Sequence, residues 1–258
     1  MIDQILQISK PCTNLFENPE ISLKISSQCL FGELFQIKLI EGNWFYGKLL
    51  SDGYEGYIKK TDVSENILKT NYFVQNIRTI VMSKPDYKSE EIINLPIGAQ
   101  LCLINIKDNW AKIRIDRGKF GYILERHILN NTSLLDDWVK IAEKFLDVPY
   151  RWGGKESLGI DCSGLVQLSF SLIGTKIPRD SNDQFQFFKK SKKFSIINSL
   201  SENTLKRGDL IYWEGHIAIV KDEESVIHAS GFHGNVVEER INNVLLRINS
   251  KPTFIISY

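Results

Sequence analysis

Cysteine is scarce in this chain: four residues in 258, at Cys12, Cys29, Cys102 and Cys162. Their spacing is irregular and contains no Cys-x-x-Cys unit, which leaves out the usual structural zinc and dithiol redox motifs and fits a reducing compartment. Long apolar runs are also missing. No stretch of about 18 apolar residues exists to cross a bilayer. The start, Met1-Ile2-Asp3-Gln4-Ile5-Leu6, lacks the basic, apolar and small-residue order of an export signal, so a cytoplasmic location is expected. Nor is either charge in excess. Lys and Arg number 32 against 31 Asp and Glu, for a net charge of +1, which gives no electrostatic case for nucleic acid or an anionic membrane as partner. Histidine is limited to His127, His216, His228 and His233, so any catalytic base of that type comes from a short roster. The hydrophobic share of 43% is ordinary for a globular protein, and 258 residues suffice for two or three small domains.

The first half of the chain contains an internal repeat. Leu34 to Ile40 is β-rich and leads through Glu41-Gly42-Asn43 into Trp44-Phe45-Tyr46, then through Ser51-Asp52-Gly53 to Gly56-Tyr57-Ile58. The same order returns as Pro96-Ile97-Gly98-Ala99, Gln100 to Ile104, Asp108-Asn109-Trp110 and Gly121-Tyr122-Ile123. A repeat of this period predicts two small β-barrels in tandem. Trp44 and Trp110 are expected to fill the barrel cores, and Gly56 and Gly121 to mark close backbone approach.

The second half reads as helices followed by an antiparallel sheet, an α+β order. A helix is expected to begin at Ser133-Leu134-Leu135-Asp136 and to carry Trp138, Ile141, Ala142 and Phe145 on one face until Pro149 ends it. An apolar run from Leu165 to Ile173 predicts a second helix. Residues 189 to 206 are polar and read as an exposed connection. Strands follow at Leu210–Trp213, His216–Val220, Ser225–Ala229, Val236–Arg240 and near Phe254.

The chemistry centres on Asp161-Cys162-Ser163-Gly164. A lone cysteine is commonly an inert core residue. Here Asp161 can cap a helix starting at Cys162, and a helix N-terminus is expected to lower the thiol's pKa. His216, preceded by Gly215, is the candidate base, and His228 in the neighbouring strand is the candidate orienting group. His233 lies in a Gly-flanked loop, and His127 falls in the repeat region. Cys162, His216 and His228 can alternatively be read as three zinc ligands, although no two share close ligand spacing; no metal and no cofactor is the preferred expectation.

Six motifs in order, Pro149-Tyr150-Arg151-Trp152-Gly153-Gly154, Asp161-Cys162-Ser163-Gly164-Leu165-Val166, Pro178-Arg179-Asp180-Ser181, Arg207-Gly208-Asp209-Leu210, Gly215-His216-Ile217-Ala218-Ile219 and Val226-Ile227-His228-Ala229, resemble the NlpC/P60 family of cell-wall peptidases. The repeat resembles bacterial SH3 domains. The resemblance implies a multidomain chain: an SH3-like barrel over residues 1–68, a second over 69–130, and a papain-like α+β NlpC/P60 domain over 131–258. It implies Cys162, His216 and His228 as the triad, with Tyr150 donating to the oxyanion. It further suggests the γ-D-glutamyl-L-diamino acid endopeptidases, in which the first SH3-like domain closes one end of the cleft. By that likeness Glu33, Tyr54 and Asp161 would receive the substrate's ammonium group. Trp152, Ser163, Arg179 and Ser181 would line the peptide, the last three on its D-glutamate side. Arg179 can instead form an ion pair with Asp180 or Asp183. The second repeat has Ala99 and Phe120 where the first has Glu33 and Tyr54.

The implied substrate is a murein peptide with a free N-terminal L-Ala, and the implied product is L-Ala-D-Glu. The alternatives are an endopeptidase remodelling intact peptidoglycan and a catalytically silent wall-peptide binder. Nothing in the sequence specifies an oligomeric state.

Overall fold

The computed structural model describes residues 3–19, 22–132, 137–191, 193–197, 205–250 and 252–257. The chain divides into two compact units, Met1–Leu134 and Leu135–Tyr258.

The first unit holds the repeat. Its first seven strands are β1 (Ile5–Ile8), β2 (Cys12–Asn18), β3 (Ser22–Leu30), β4 (Leu34–Glu41), β5 (Trp44–Leu49), β6 (Glu55–Lys59) and β7 (Val63–Ser64). The next seven are β8 (Tyr72–Val74), β9 (Arg78–Met82), β10 (Glu91–Pro96), β11 (Gln100–Lys107), β12 (Trp110–Asp116), β13 (Lys119–Leu124) and β14 (Ile128–Asn130). The two sheets have the same spatial order, β3-β2-β6-β5-β4-β1-β7 and β10-β9-β13-β12-β11-β8-β14. A single 3₁₀ turn follows β6 and β13 alike, at Lys60–Asp62 and Glu125–His127.

Each barrel encloses its own apolar core. Leu6, Ile8, Leu15, Phe35, Ile37, Leu49 and Ile58 fill the first, and Val74, Val81, Leu95, Leu101, Ile113 and Ile123 the second. Burying each such side chain is worth about 1.5–3 kcal/mol. The tryptophans are not in these cores. Trp44 is half-buried, edge-on to Phe16 with Lys59 above its ring, and Trp110 lies under Tyr87. The two barrels are filled by aliphatic side chains and Phe35, and the larger indole rings pack beside the tight turns that close their hairpins. The glycines do mark close approach. A Cβ on Gly56 would lie 2.7 Å from Leu15, and one on Gly121 would lie 2.3 Å from Val81.

The barrels meet through both backbone and side chains. The Gln100 N–H donates to the Phe31 carbonyl at 2.8 Å, the Phe31 side chain enters the second core, and Gly32, at φ +83°, has no room for a Cβ beside the Gln100 carbonyl.

Residues 133–136, where a helix start is expected and where the two units join, lie outside the described residues. Helix α1 runs Val139–Glu143 and ends before Pro149. A short hairpin, β15 (Lys155–Glu156) and β16 (Gly159–Ile160), leads into helix α2 (Cys162–Ser171), then α3 (Ser181–Lys190). The final sheet contains β17 (Ser195–Ile197), β18 (Leu210–Trp213), β19 (His216–Val220), β20 (Ser225–Ser230), β21 (Asn235–Arg240) and β22 (Phe254–Ser257), in the order β17-β22-β18-β19-β20-β21. The polar stretch 189–206 therefore includes a strand at its middle, while 192 and 198–204 lie outside the described residues. Helix α4 (Ile241–Ile248) follows β21 directly. Its Ile241 and Val244 pack with Ala218, Val220 and Val226 of the sheet. Among the described residues no helix is long and apolar enough to cross a membrane.

Candidate active site

Cys162 opens α2. Asp161 is the N-cap in extended conformation, and its Oδ1 accepts the Gly164 N–H at 2.7 Å, a bond worth about 1 kcal/mol to the helix. Asp161 does far more than cap. Its Oδ2 accepts the Gly153 N–H at 2.9 Å, fixing the Tyr150–Gly154 turn. Arg179 reaches it from just before α3 with both terminal nitrogens, Nη1 to Oδ1 at 2.9 Å and Nη2 to Oδ2 at 2.6 Å. Arg179 also donates to Ser163 Oγ at 2.9 Å and to the Gly154 carbonyl at 3.1 Å. Asp161, Ser163 and Arg179 are all buried. The arginine thus pairs with Asp161, which lies 18 residues earlier. A two-point ion pair without solvent explains the choice: each buried charge needs a matched counter-charge, and the planar guanidinium fits a carboxylate.

The Cys162 thiol is pushed up to about 11, opposite to the expected direction. Burial is the main cause and the Asp161 charge adds to it. Together they outweigh the backbone N–H groups of Ile217 and Ser163 and the Arg179 charge, all of which favour thiolate. At rest the thiol is neutral. The Ile217 N–H also fixes its place, because that residue follows His216 at the start of β19. No hydrogen bond joins Cys162 Sγ to His216 among the described residues.

His216 Nε2 lies 2.8 Å from His228 Nδ1. Strand register accounts for this contact. Ile219 pairs with Ile227, and continuing that register sets Ala218 opposite His228, with His216 one diagonal step away on the same sheet face. Burial holds both imidazoles neutral, pushing His216 down to about 3 and His228 to about 4. For His216 the neighbouring His228 and Arg247 add to burial, whereas for His228 the Glu239 carboxylate opposes it. At neutral pH both imidazoles are therefore unprotonated while the Cys162 thiol is protonated.

Tyr150 is half-buried, its ring is close to Gly231, and its hydroxyl is held protonated, pushed up to about 12 by burial and then by the charges of Cys162 and Asp161. A second phenol was not foreseen from the sequence. Tyr212 on β18 is buried, its hydroxyl has no partner among the described residues, and burial followed by the Cys162 charge raises its pKa. It borders a cavity of about 390 Å³ together with Ser181, Asn182, Phe185, Glu214 and Gly215. Ser181 thus faces this cavity at the start of α3, while Trp152 is 65% exposed on the turn.

Within the first unit, Glu33 follows Gly32 in the turn between β3 and β4 and is buried. Its carboxylate accepts the Leu30 N–H at 2.7 Å and the Ser51 hydroxyl at 2.9 Å. Ser51 and Tyr54 belong to the connection between β5 and β6, and Tyr54 packs on the first core. In the second barrel Ala99 does follow Gly98 at the matching turn, but Phe120 does not match Tyr54. It sits inside β13, opposite Arg114, because only Arg117 and Gly118 separate β12 from β13.

Two further residues complete the histidine cluster: Glu239 on β21 and Arg247 on α4. Glu239 Oε2 lies 3.0 Å from His228 Nε2, 3.2 Å from His233 Nε2 and 2.8 Å from Arg247 Nη2. The spacing of Ile241, Val244, Leu245 and Ile248 was the available signal for α4, but the carboxylate is visible only once the strand register is known. Among the described residues no three His, Cys, Asp or Glu side chains are arranged to hold a metal ion.

Comparison with known proteins finds two kinds of domain in the chain. Residues 147–249 match the NlpC/P60 family, and residues 15–63 match the bacterial dipeptidyl-peptidase SH3 domain. The chain is 27% identical to dipeptidyl-peptidase 6 of Lysinibacillus sphaericus, over 84% of this chain and 84% of that protein. It is 27% identical to a γ-D-glutamyl-L-lysine dipeptidyl-peptidase of Bacillus subtilis (strain 168), over 73% of this chain but only 64% of that protein. A crystal structure of an NlpC/P60 family protein from Bacillus cereus superposes with a TM-score of 0.77 at 18% identity, covering 92% of this chain and 94% of that one, which shows the shared fold. Residues 147–249 are therefore an NlpC/P60 domain, a bacterial dipeptidyl-peptidase SH3 domain precedes it, and the chain is a peptidase hydrolase.

Proposed function

We propose that this protein hydrolyses the γ-D-Glu–diamino acid bond of murein peptides whose N-terminal L-Ala is free, releasing L-Ala-D-Glu. What carries the reading is the thiol and imidazole arrangement of Cys162 and His216 in a chain similar, over most of its length, to proteins named as dipeptidyl-peptidases. As sulfur attacks the γ-carbonyl carbon, the Cys162 proton passes to His216, so neutral thiol and neutral imidazole become charged only in the reacting complex. Tyr150 donates to the oxyanion, alongside N–H groups at the start of α2. His216 then returns the proton to the leaving amine of the diamino acid. Water, deprotonated by the same ring, opens the thioester and regenerates the thiol.

Selectivity for the free amine is assigned to Glu33 and Tyr54 of the first barrel. The Asp161 carboxylate accepts from Arg179 and three other donors, and the Glu33 carboxylate from Leu30 and Ser51. Ser163 and Ser181 remain the proposed contacts to the D-glutamate side, with Arg179 acting through Asp161. An L-Ala amine is free only after the peptide has left the glycan, so the reading places the protein in cytoplasmic recycling of wall peptides.

Mass spectrometry of digests of L-Ala-γ-D-Glu-L-Lys and its N-acetylated form tests this. Release of L-Ala-D-Glu from the free peptide alone is expected. Equal cutting of both forms, or of intact sacculi, would overturn it in favour of a wall-remodelling endopeptidase.

A further inference from the structure

The ring-to-ring bond between His216 and His228 can run in either direction, and only one direction is useful. His216 Nε2 is taken by His228, so Nδ1 is the nitrogen left for the Cys162 proton. That nitrogen must carry a lone pair, which requires the His216 proton on Nε2, donated to His228 Nδ1. His228 must then hold its own proton on Nε2. In the opposite arrangement His228 Nδ1–H donates to His216 Nε2, the His216 proton moves to Nδ1, and the base is blocked. A neutral histidine pair has little intrinsic preference between the two, so something outside the pair must choose.

We propose that Glu239 makes this choice: as an acceptor fixed at His228 Nε2, it sets the direction of hydrogen bonding through His228 and His216 and leaves His216 Nδ1 open to Cys162. The groups lie on one diagonal across the sheet. His228 pairs with Val237 in register, so Glu239 is one diagonal step further along the same face, as His216 is on the other side. The groups facing His228 are His216 on β19, Glu239 on β21, and behind the carboxylate His233 from the loop before β21 and Arg247 from α4. Ionised carboxylate has no proton to give, so His228 Nε2 must be the donor at 3.0 Å. Arg247 keeps it ionised, with Nη2 at 2.8 Å from Oε2 and Nε at 3.3 Å from Oε1. Burial pushes the Glu239 carboxyl up, but Arg247, His233 and His228 outweigh this and hold it at about 2. His228 is only 1% exposed, so water has no access to supply the same instruction. Glu239 is a positioning residue acting through His228. Arg247 and His233 position Glu239 in turn.

The inference rests on the cysteine-peptidase reading for its last link, to Cys162, but its central claim is a tautomer. Long-range ¹⁵N–¹H NMR of the histidine-labelled full chain near pH 7 should find His216 and His228 both protonated on Nε2. Proton on Nδ1 of either ring in the wild type overturns the proposal whatever the substrate. Kinetics supply the second arm. Glu239→Ala removes the acceptor and should lower kcat about 100-fold with KM nearly unchanged, comparable to losing an outer partner of a catalytic or metal-bound histidine. Glu239→Gln keeps an oxygen at the Oε2 position without the charge, and should recover kcat to within about 10-fold of wild type and keep both Nε2 tautomers. If Glu239 served only to neutralise Arg247, the Gln variant would be as impaired as the Ala variant, and that result overturns the proposal. So does wild-type kcat in the Ala variant. Should the Ala variant fail to fold, the wild-type and Gln spectra still decide. Failure of the wild type to cut murein peptides would sink the proposed substrate and leave the tautomer result standing.

Discussion

The two barrels of the first unit share one strand order and one 3₁₀ turn, yet differ at one buried carboxylate. In the first barrel, Gly32 is followed by a buried carboxylate, and the residues between β5 and β6 run from Leu50 to Tyr54, long enough to bring Ser51 onto Glu33. In the second, Gly98 is followed by Ala99 inside the core, and a two-residue connection closes the matching hairpin. The scaffold is duplicated and the polar equipment is not. A barrel kept for packing needs only its aliphatic core. A barrel that carries a buried Glu maintains a cost, since a buried carboxylate requires donors to hold it.

The comparison assigns bond cleavage to neither barrel, so the largest effect should lie outside both. Cys162→Ala is expected to lower kcat by at least about 10⁴-fold with the melting of the first unit unchanged, as read by stopped assays and calorimetry. Making the first barrel resemble the second comes next. Glu33→Ala should cut the preference for a free over an acetylated L-Ala amine by about 10–100-fold in kcat/KM, with little loss on the acetylated peptide. The converse change, Ala99→Glu, buries a carboxylate where no Ser51 counterpart exists. It should destabilise the first unit by about 3 kcal/mol and leave amine preference as it was, measured by denaturant titration. Gly32→Ala should cost about 1–3 kcal/mol, because it combines a positive φ with a clash against the Gln100 carbonyl, and it should loosen both barrels together.

The smallest effect separates the units by pH. His216 and His228 have folded pKa values below the unfolded value of about 6.5, so the unfolded chain binds more protons as pH falls. Their contribution to stability is complete above about pH 6.5 and is lost progressively toward about pH 4 and below. His127 in the second barrel is lowered too, mainly by burial, but is only partly enclosed. The catalytic unit should therefore lose more melting temperature between pH 7 and pH 4 than the barrels, in a scan that resolves two transitions. Equal losses would contradict the assignment.

The local motifs were legible in the sequence because their physics is local. Asp161 beside Cys162 announces a capped helix, and the matching positions of Gly56 and Gly121 announce two copies of one hairpin. The strands carrying His216 and His228 were legible from their apolar runs. Long-range determinants were not. Asp161 pairs with Arg179 only because the turn before α3 returns to the start of α2, and Glu239 meets His228 only through strand register. The direction of the Cys162 shift depended on burial, which the helix-start pattern does not report. The place of Trp44 and Trp110 depended on how much volume the aliphatic residues had already filled.

His216, His228 and Glu239 come from three neighbouring strands, each offset by one diagonal step. What is inherited is then an alignment as much as a set of residues. A recombination crossover or a one-residue insertion within 216–239 would preserve all three side chains and still turn one of them to the opposite face. Shuffling between homologues should tolerate exchange of this three-strand block as a whole and reject most junctions inside it.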